Sequence, residues 1–308
     1  MEHKNLLPLV TIAIPCYNEG DFIKRAVLSA INQTYSNIEV VISDAGSDDN
    51  TLEFLREFES NNNIRVLYNK KGISKYENWT AMIDACKGEF ILILPARHFL
   101  YKKGITKLVK PFIKNHDKNL AYVRGCMVYE LTDGSKSKSV PSEISSMIEG
   151  NDELQRLLLG NTCEVVTTLY HLDRLRQSLP FNTNFERTFV WLQNAKLASR
   201  WPVYFINADI GEYTNSETSE QITFKTNKAK AEIPTLFDNF ATLCAFAGVE
   251  KNIEFYRDNW ISSANSIPEA SAGSFIKMKL KNYLPRPILL LARYSVFYIK
   301  QLVFRFFM

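Results

Sequence analysis

The chain is 308 residues long, 46% hydrophobic and 23% charged, with a formal net charge of +4 from 37 Lys+Arg against 33 Asp+Glu. That length holds one large domain or a domain with appendages, and the composition excludes a disordered chain, a collagen and a disulfide-stapled miniprotein. The charge is unevenly placed: residues 270–308 carry seven basic residues and no acidic one, which leaves residues 1–269 as a body at −3. A slightly acidic body argues against a nucleic-acid partner, and a basic, aromatic tail points to an anionic surface.

In chain order, Val10–Ile14 is a β-branched apolar run ending at Pro15, the pattern of a buried parallel strand. Asp21 to Ile31 has helical spacing of Phe22, Ala26, Val27 and Ala30, with Asp21 as the expected N-cap. Ile38–Ile42 predicts a second strand, Thr51–Glu59 a helix, Ile64–Tyr68 a third strand, Tyr76–Ala85 a helix and Phe90–Leu94 a fourth strand. This β-α rhythm implies a doubly wound α/β sheet, mainly parallel and flanked by helices. Further on, Ile105–Ile113 predicts a helix, Leu120–Tyr129 a strand and Thr132–Ser135 its hairpin turn. Residues 133–150 read as an exposed Ser/Lys-rich loop, Leu154–Leu159 as a short helix and Val165–Tyr170 as a strand. Thr188–Ser199 predicts an amphipathic helix, Val203–Ile206 a strand, 211–227 a polar loop, and 230–247 and 250–263 two final helices.

The five cysteines, Cys16, Cys86, Cys126, Cys163 and Cys244, are widely spaced with no CxxC pair, so buried free thiols in a reducing compartment are expected. No secretory leader is recognisable, and no window offers the ~18 apolar residues of a membrane span. The expected location is cytoplasmic. Zinc spacing, a P-loop, a G-x-S-x-G elbow and a dinucleotide glycine fingerprint are all missing from the sequence. His116 and His171 are lone histidines with structural or surface roles expected.

An open α/β sheet binds ligands at the carboxyl ends of its strands. Three polar stretches follow apolar runs there: Pro15–Glu19, Asp44–Thr51 and Pro95–His98. Asp44 offers a carboxylate for a base N–H or a ribose hydroxyl, while Ala45 and Gly46 permit close approach of the backbone. The alternative is an ordinary capped βα turn.

Taken together, Val10–Glu19, Ser29–Ile38 and Glu39–Thr51, followed by Gly72–Ser74, Asn78-Trp79 and Ala85–Ile91, resemble the family 2 glycosyltransferases of GT-A fold. The resemblance is close over about residues 8–100 and looser to about 215. It implies a nucleotide pocket lined by Pro15, Tyr17, Glu19, Asp44, Gly46 and Ser47, with Asp44 on the base or ribose. It further implies an inverting transfer from a nucleotide-sugar donor, UDP-linked by expectation, to a hydroxyl of a glycan or lipid-linked acceptor, in surface polysaccharide or glycolipid assembly.

Two departures bear on the chemistry. The family carries an Asp-x-Asp after the fourth strand, whose carboxylates hold a divalent metal against the diphosphate. This chain has Pro95-Ala96-Arg97-His98 instead. No protein metal ligand is assigned, and Mg²⁺ or Mn²⁺ enters only if it is retained without those carboxylates. Three readings stay open: Arg97 replaces the metal's charge and His98 adds a hydrogen bond or proton to the departing phosphate; catalysis is lost and the domain is a nucleotide- or partner-binding scaffold; or Arg97 and His98 are surface residues of a relocated loop. The second departure is at the base. Where the family has Glu-Asp at a helix start, this chain has Glu186-Arg187. Glu186 is the candidate base, with a dipole-stabilising helix N-terminus as the alternative and Asp209 or Glu212 as substitutes.

The expected division is 1–227 as the GT-A domain, 228–269 as a helical extension and 270–308 as the tail. Within the tail, residues 275–308 interleave aromatic and basic residues behind Pro285 and Pro287. That pattern fits an interfacial helix holding the protein on the inner face of the cytoplasmic membrane, or else a docking helix.

Overall fold

The computed structural model describes residues 7–130, 136–139, 144–161, 163–213 and 227–265. The first half alternates strand and helix: β1 (Val10–Cys16), α1 (Gly20–Ile31), β2 (Ile38–Asp44), α2 (Thr51–Arg56), β3 (Ile64–Tyr68), α3 (Lys75–Ala85) and β4 (Phe90–Ile93). Then come β5 (His98–Leu100), α4 (Gly104–Lys114), β6 (Tyr122–Glu130), β7 (Lys136–Lys138), β8 (Ser146–Ile148), α5 (Gly150–Leu158) and β9 (Thr168–His171). The described chain ends with α6 (Leu172–Gln177), α7 (Phe189–Ala198), β10 (Val203–Tyr213), α8 (Asn227–Phe246) and α9 (Ile253–Asn265).

One sheet runs in the order β3-β2-β1-β4-β9-β6-β10-β5, with β7 added to β6 and β8 to β10. The wing β3-β2-β1-β4 is parallel throughout. β9 is antiparallel to both β4 and β6, so β6 runs with β4 again, and β10 runs parallel to β6. The carboxyl ends of β1, β2, β4, β6 and β10 therefore lie along one edge of the sheet, beside the start of β9.

Alternation along the strands sorts the core onto two faces. Val10, Ile12 and Ile14 of β1 pack with Ile23 and Val27 of α1, Leu55 of α2 and Leu108 of α4. Ala13 and Ile91 face the other way, onto Met82 of α3, Leu157 of α5, Trp191 of α7 and Phe237 of α8. The sheet is thus covered by helices on both faces, as doubly wound topology requires. The two C-terminal helices close on α7, with Trp191 5.4 Å from Trp260 and 5.9 Å from Phe240, ring centre to ring centre.

Several expectations are corrected. α1 begins at Gly20 with Glu19, not Asp21, in the N-cap position. The neighbouring loop satisfies its first N–H groups: Gly20 donates to Asp49 and Glu19 to Thr51. Residues 133–150, expected as a loop, contain β7 and β8; three-residue strands are too short to show an alternating pattern. Residues 211–213, assigned to a polar loop, complete β10. α7 is buried nearly all round rather than amphipathic, because it lies between α5 and α8; its Gln193 bonds to Ser178 and its Asn194 to Tyr170. The turn at 132–135, the loop 214–226 and the tail 270–308 lie outside the described residues. Among the described residues all five cysteines are free and buried, and no helix is long and apolar enough to cross a membrane.

A buried ion pair ties α5 to the sheet. Arg124 on β6 donates to both oxygens of Glu153, at 3.1 and 3.3 Å, and both side chains are at most 1% exposed. Tyr122 donates to the same carboxylate at 3.1 Å. Burial pushes the Glu153 carboxyl up, but the guanidinium outweighs it and holds it below its usual range. Removing one partner strands the other charge in the core. Glu153→Ala should cost about 3–5 kcal/mol, whereas an apolar pair replacing both Arg124 and Glu153 should recover most of it. Chemical denaturation of the three proteins checks this. Because the folded value is depressed, the pair's contribution should be complete above about pH 4.3 and fade as pH falls through the folded value.

Candidate active site

The site is built on the loops after β1, β2 and β4. Asp44 ends β2 with 1% of its surface exposed. Its Oδ2 accepts the backbone N–H groups of Gly46 and Ser47, both at 3.0 Å, and its Oδ1 accepts the Ser47 hydroxyl. The Cys16 thiol points at the same Oδ1 from 3.8 Å, and burial, followed by the Asp44 charge, keeps that thiol protonated. The carboxylate thus braces the turn that follows it, at the strand end where a nucleotide contact is expected of it. Gly46 has φ +82°, and a Cβ there would lie 2.5 Å from Lys71 Cα. A side chain at this position would thus collide with the 70–71 backbone.

Two loops are tied across this turn. Asn18, with φ 52°, donates its N–H to Ser47 Oγ at 2.9 Å, while its amide and Asp48 exchange bonds at 2.9 and 3.0 Å. Lys71 pairs with Asp48 at 2.5 Å and lowers its pKa. Beneath, Asn78 takes the Ser43 hydroxyl at 2.7 Å and donates to the Ser43 carbonyl, and Asn69 donates to the Asp44 carbonyl. Pro15 ends β1 opposite Ser43, and Tyr17 stands half exposed beside this frame. An exposed aromatic ring on a braced loop suits stacking on a planar base.

After β4, Arg97 and Glu19 come together. The guanidinium reaches the carboxylate through Nε at 3.0 Å and sits 4.8 Å above the Phe22 ring. Arg97 thus belongs to the same edge as Asp44, contrary to the reading of a relocated surface loop. His98 opens β5, opposite Tyr213 of β10, with the rings 4.9 Å apart. Burial, reinforced by Arg97, drops its pKa to about 4. Near pH 7 the imidazole is therefore neutral, with an N–H to offer.

The second half of the edge was not visible in the sequence. Tyr129 ends β6 and donates to Glu164 Oε1 at 3.1 Å. The Tyr129 ring lies 6.0 Å from Tyr213, so Glu164, Tyr129, Tyr213 and His98 form one continuous wall. Burial pushes the Glu164 carboxyl up, only partly offset by Tyr129. Glu164 sits in no motif, and only the antiparallel placement of β9 brings it to this edge.

The other candidate bases are engaged elsewhere. Glu212 accepts Lys136 at 2.8 Å and the Tyr101 hydroxyl; burial raises its pKa, but these bonds bring it below the usual range. Asp209 pairs with Lys138 at 2.8 Å. The Glu186 side chain is 47% exposed, ahead of α7. Its backbone is pinned by Lys75, which donates to its carbonyl at 2.7 Å, and by Glu232, which accepts its N–H at 2.8 Å. Glu232 also takes the N–H groups of Arg187 and Thr188, so the carboxylate capping α7 comes from α8 rather than from Glu186. His171 packs edge-on against Phe90, and His116 lies in a 3₁₀ turn after α4. Among the described residues no three His, Cys, Asp or Glu side chains converge as metal ligands.

The family model for Glycosyl transferase family 2 matches residues 11–167. Hyaluronan synthase of Pasteurella multocida is 39% identical over 123 residues, which is 39% of this chain and 12% of that protein. The chain thus spans about an eighth of that relative's length. Among solved structures, Staphylococcus aureus TarS 1–349 in complex with UDP-GlcNAc superposes with TM-score 0.62 at 17% identity, covering 83% of this chain and 71% of that one. The mannosyltransferase PcManGT of Pyrobaculum calidifontis, in complex with GDP-Man and Mn2+, gives 0.57 at 14% identity, covering 92% and 82%. The sheet flanked by helices described above is the GT-A fold of these neighbours. With just over half of its length inside the family match, the chain belongs to Glycosyl transferase family 2.

Proposed function

We propose that the protein transfers a sugar from a nucleotide-sugar donor, UDP-linked in the first instance, to a hydroxyl of a glycan or lipid-linked acceptor, by single displacement with inversion. The observation that carries this reading is the braced pair of loops around Asp44, with Arg97 at the same edge of the sheet. A nucleoside needs a rigid, polar-edged crevice at strand ends, and these loops are held by buried hydrogen bonds instead of by the ligand. UDP-GlcNAc bound by TarS and GDP-Man bound by PcManGT support the donor class. The hyaluronan synthase relative supports a polysaccharide setting.

The donor set after β4 does not fit a divalent cation. A guanidinium paired to Glu19 and a neutral imidazole stand where hard oxygen ligands would be needed. On this reading Arg97 supplies the positive charge. A guanidinium stays ionised, matches phosphate oxygens bidentately, and is held in place here by Glu19 and Phe22. It stabilises the charge that builds on the leaving nucleotide diphosphate. The basic stretch 275–308 is proposed to hold the enzyme at the inner face of the cytoplasmic membrane, near a lipid-linked acceptor.

Two measurements test the reading. UDP at about 100 times its Kd should stabilise the native state by about 2.7 kcal/mol, a melting shift of about 5–10 °C. Asp44→Ala, which releases the Gly46 and Ser47 N–H groups, should abolish that shift; a variant that keeps it removes the turn from nucleotide binding. Turnover of a nucleotide-sugar panel should survive EDTA and fall by about 10²–10³ in Arg97→Ala. EDTA-sensitive turnover defeats the role given to Arg97, and a UDP shift with no turnover of any donor favours a binding scaffold.

A further inference from the structure

The carboxylates at the binding edge divide sharply by what they already hold. Asp44 is saturated by its own turn, Glu19 faces Arg97, Asp209 faces Lys138, and Glu212 faces Lys136 and Tyr101. Glu186, 47% exposed, lies beside the Arg187 guanidinium. Glu164 differs from all of these. It lies half-buried in the segment before β9, between the end of β4 and the end of β6. Its Oε1 takes the Tyr129 hydroxyl, and among the described residues no donor meets Oε2.

We propose that Glu164 is the general base of the transfer, a role that rests on reading the chain as an active transferase. Its Oε2 takes the proton of the acceptor hydroxyl. The acceptor oxygen then forms its bond to the anomeric carbon, the bond from that carbon to the phosphate oxygen breaks, and its electron pair leaves on the nucleotide diphosphate. Tyr129 orients the carboxylate through Oε1, and the Tyr213 and His98 rings complete the wall beside it.

The surroundings suit the task. Tyr129 on β6 bonds to Glu164, Tyr170 on β9 feels its charge, and the Tyr213 and His98 rings continue the wall beyond Tyr129. Burial pushes Tyr129 and Tyr170 up and His98 down, so those three are uncharged near pH 7. Without a cation to hold it ionised, the buried Glu164 carboxyl binds its proton more tightly than a free one. A base tuned upward toward the working pH accepts a proton more readily. Activity should therefore rise with pH through the Glu164 value.

The test is hydrolysis of UDP-GlcNAc and GDP-mannose, with water as acceptor, from pH 5 to 9. The proteins are wild type, Glu164→Gln, Glu164→Ala and Glu186→Gln, each checked for a UDP melting shift. The expected result is a loss of about 10²–10⁴-fold in Glu164→Gln, with the acid limb of the profile gone and the UDP shift kept. Sodium formate should restore part of the rate in Glu164→Ala, which a merely structural role would not allow. A deficit confined to Glu186→Gln, or a Glu164→Gln profile within twofold of wild type, overturns the proposal. A UDP shift without turnover of either donor also overturns it while leaving the nucleotide site standing. No UDP shift in wild type removes the underlying reading as well.

Discussion

One short strand decides the shape of this site. β9 runs against both its neighbours, and the two reversals it introduces restore the direction of β4 in β6 and β10. Parallel strands expose their carboxyl ends together, so a second wing is turned to face the same crevice as the first. Without that reversal the loops after β1, β2 and β4 would form a nucleotide-sized shelf with nothing opposite. With it, Glu164, Tyr129 and Tyr213 form a wall that reaches His98. The facing of these two walls is a consequence of strand direction before it is one of side-chain chemistry.

Charge is handled internally in the loops after β1 and β2. Asp44 and Asp48 look like ligand-seeking acids, yet their oxygens are taken by backbone N–H groups, Asn18 and Lys71. An unpaired buried carboxylate is costly, and these loops remove that cost with their own donors. The outcome is a crevice whose walls are set before any ligand arrives. Arg97, on the same edge, is aimed by Glu19 and Phe22. The same economy appears at α7, where Glu232 from α8 satisfies three N–H groups at the helix start. That capping links the C-terminal helices to the segment carrying Glu186.

Much of the first hundred residues could be read directly. β-branched runs of strand length, helical spacing and Ser/Asp/Gly turns are local patterns, and local patterns survive in a sequence. They located β1 to β4 and the loops that carry Tyr17, Asp44, Gly46 and Ser47. The failures share one cause. β7 and β8 are three residues each, α7 owes its all-round burial to helices from distant segments, and α1 is capped by a side chain from the next loop. His98 shows the same limit: its residue type left a hydrogen bond and a proton both open, and only its burial between β5 and β10 makes it neutral.

What the sequence by itself determined is the family, the parallel wing and the identity of the residues after each of its strands. Those rest on short-range order, where neighbouring residues dictate one another's conformation. It also placed Arg97 and His98 directly after the fourth strand. Tertiary structure alone decided what those residues do, because charge state and availability depend on partners far away in the chain. Arg97 is aimed through Glu19, and Glu164 reaches the edge only because β9 runs backwards between β4 and β6. A carboxylate's chemistry is set by its surroundings, and here the surroundings are assembled across more than a hundred residues of sequence.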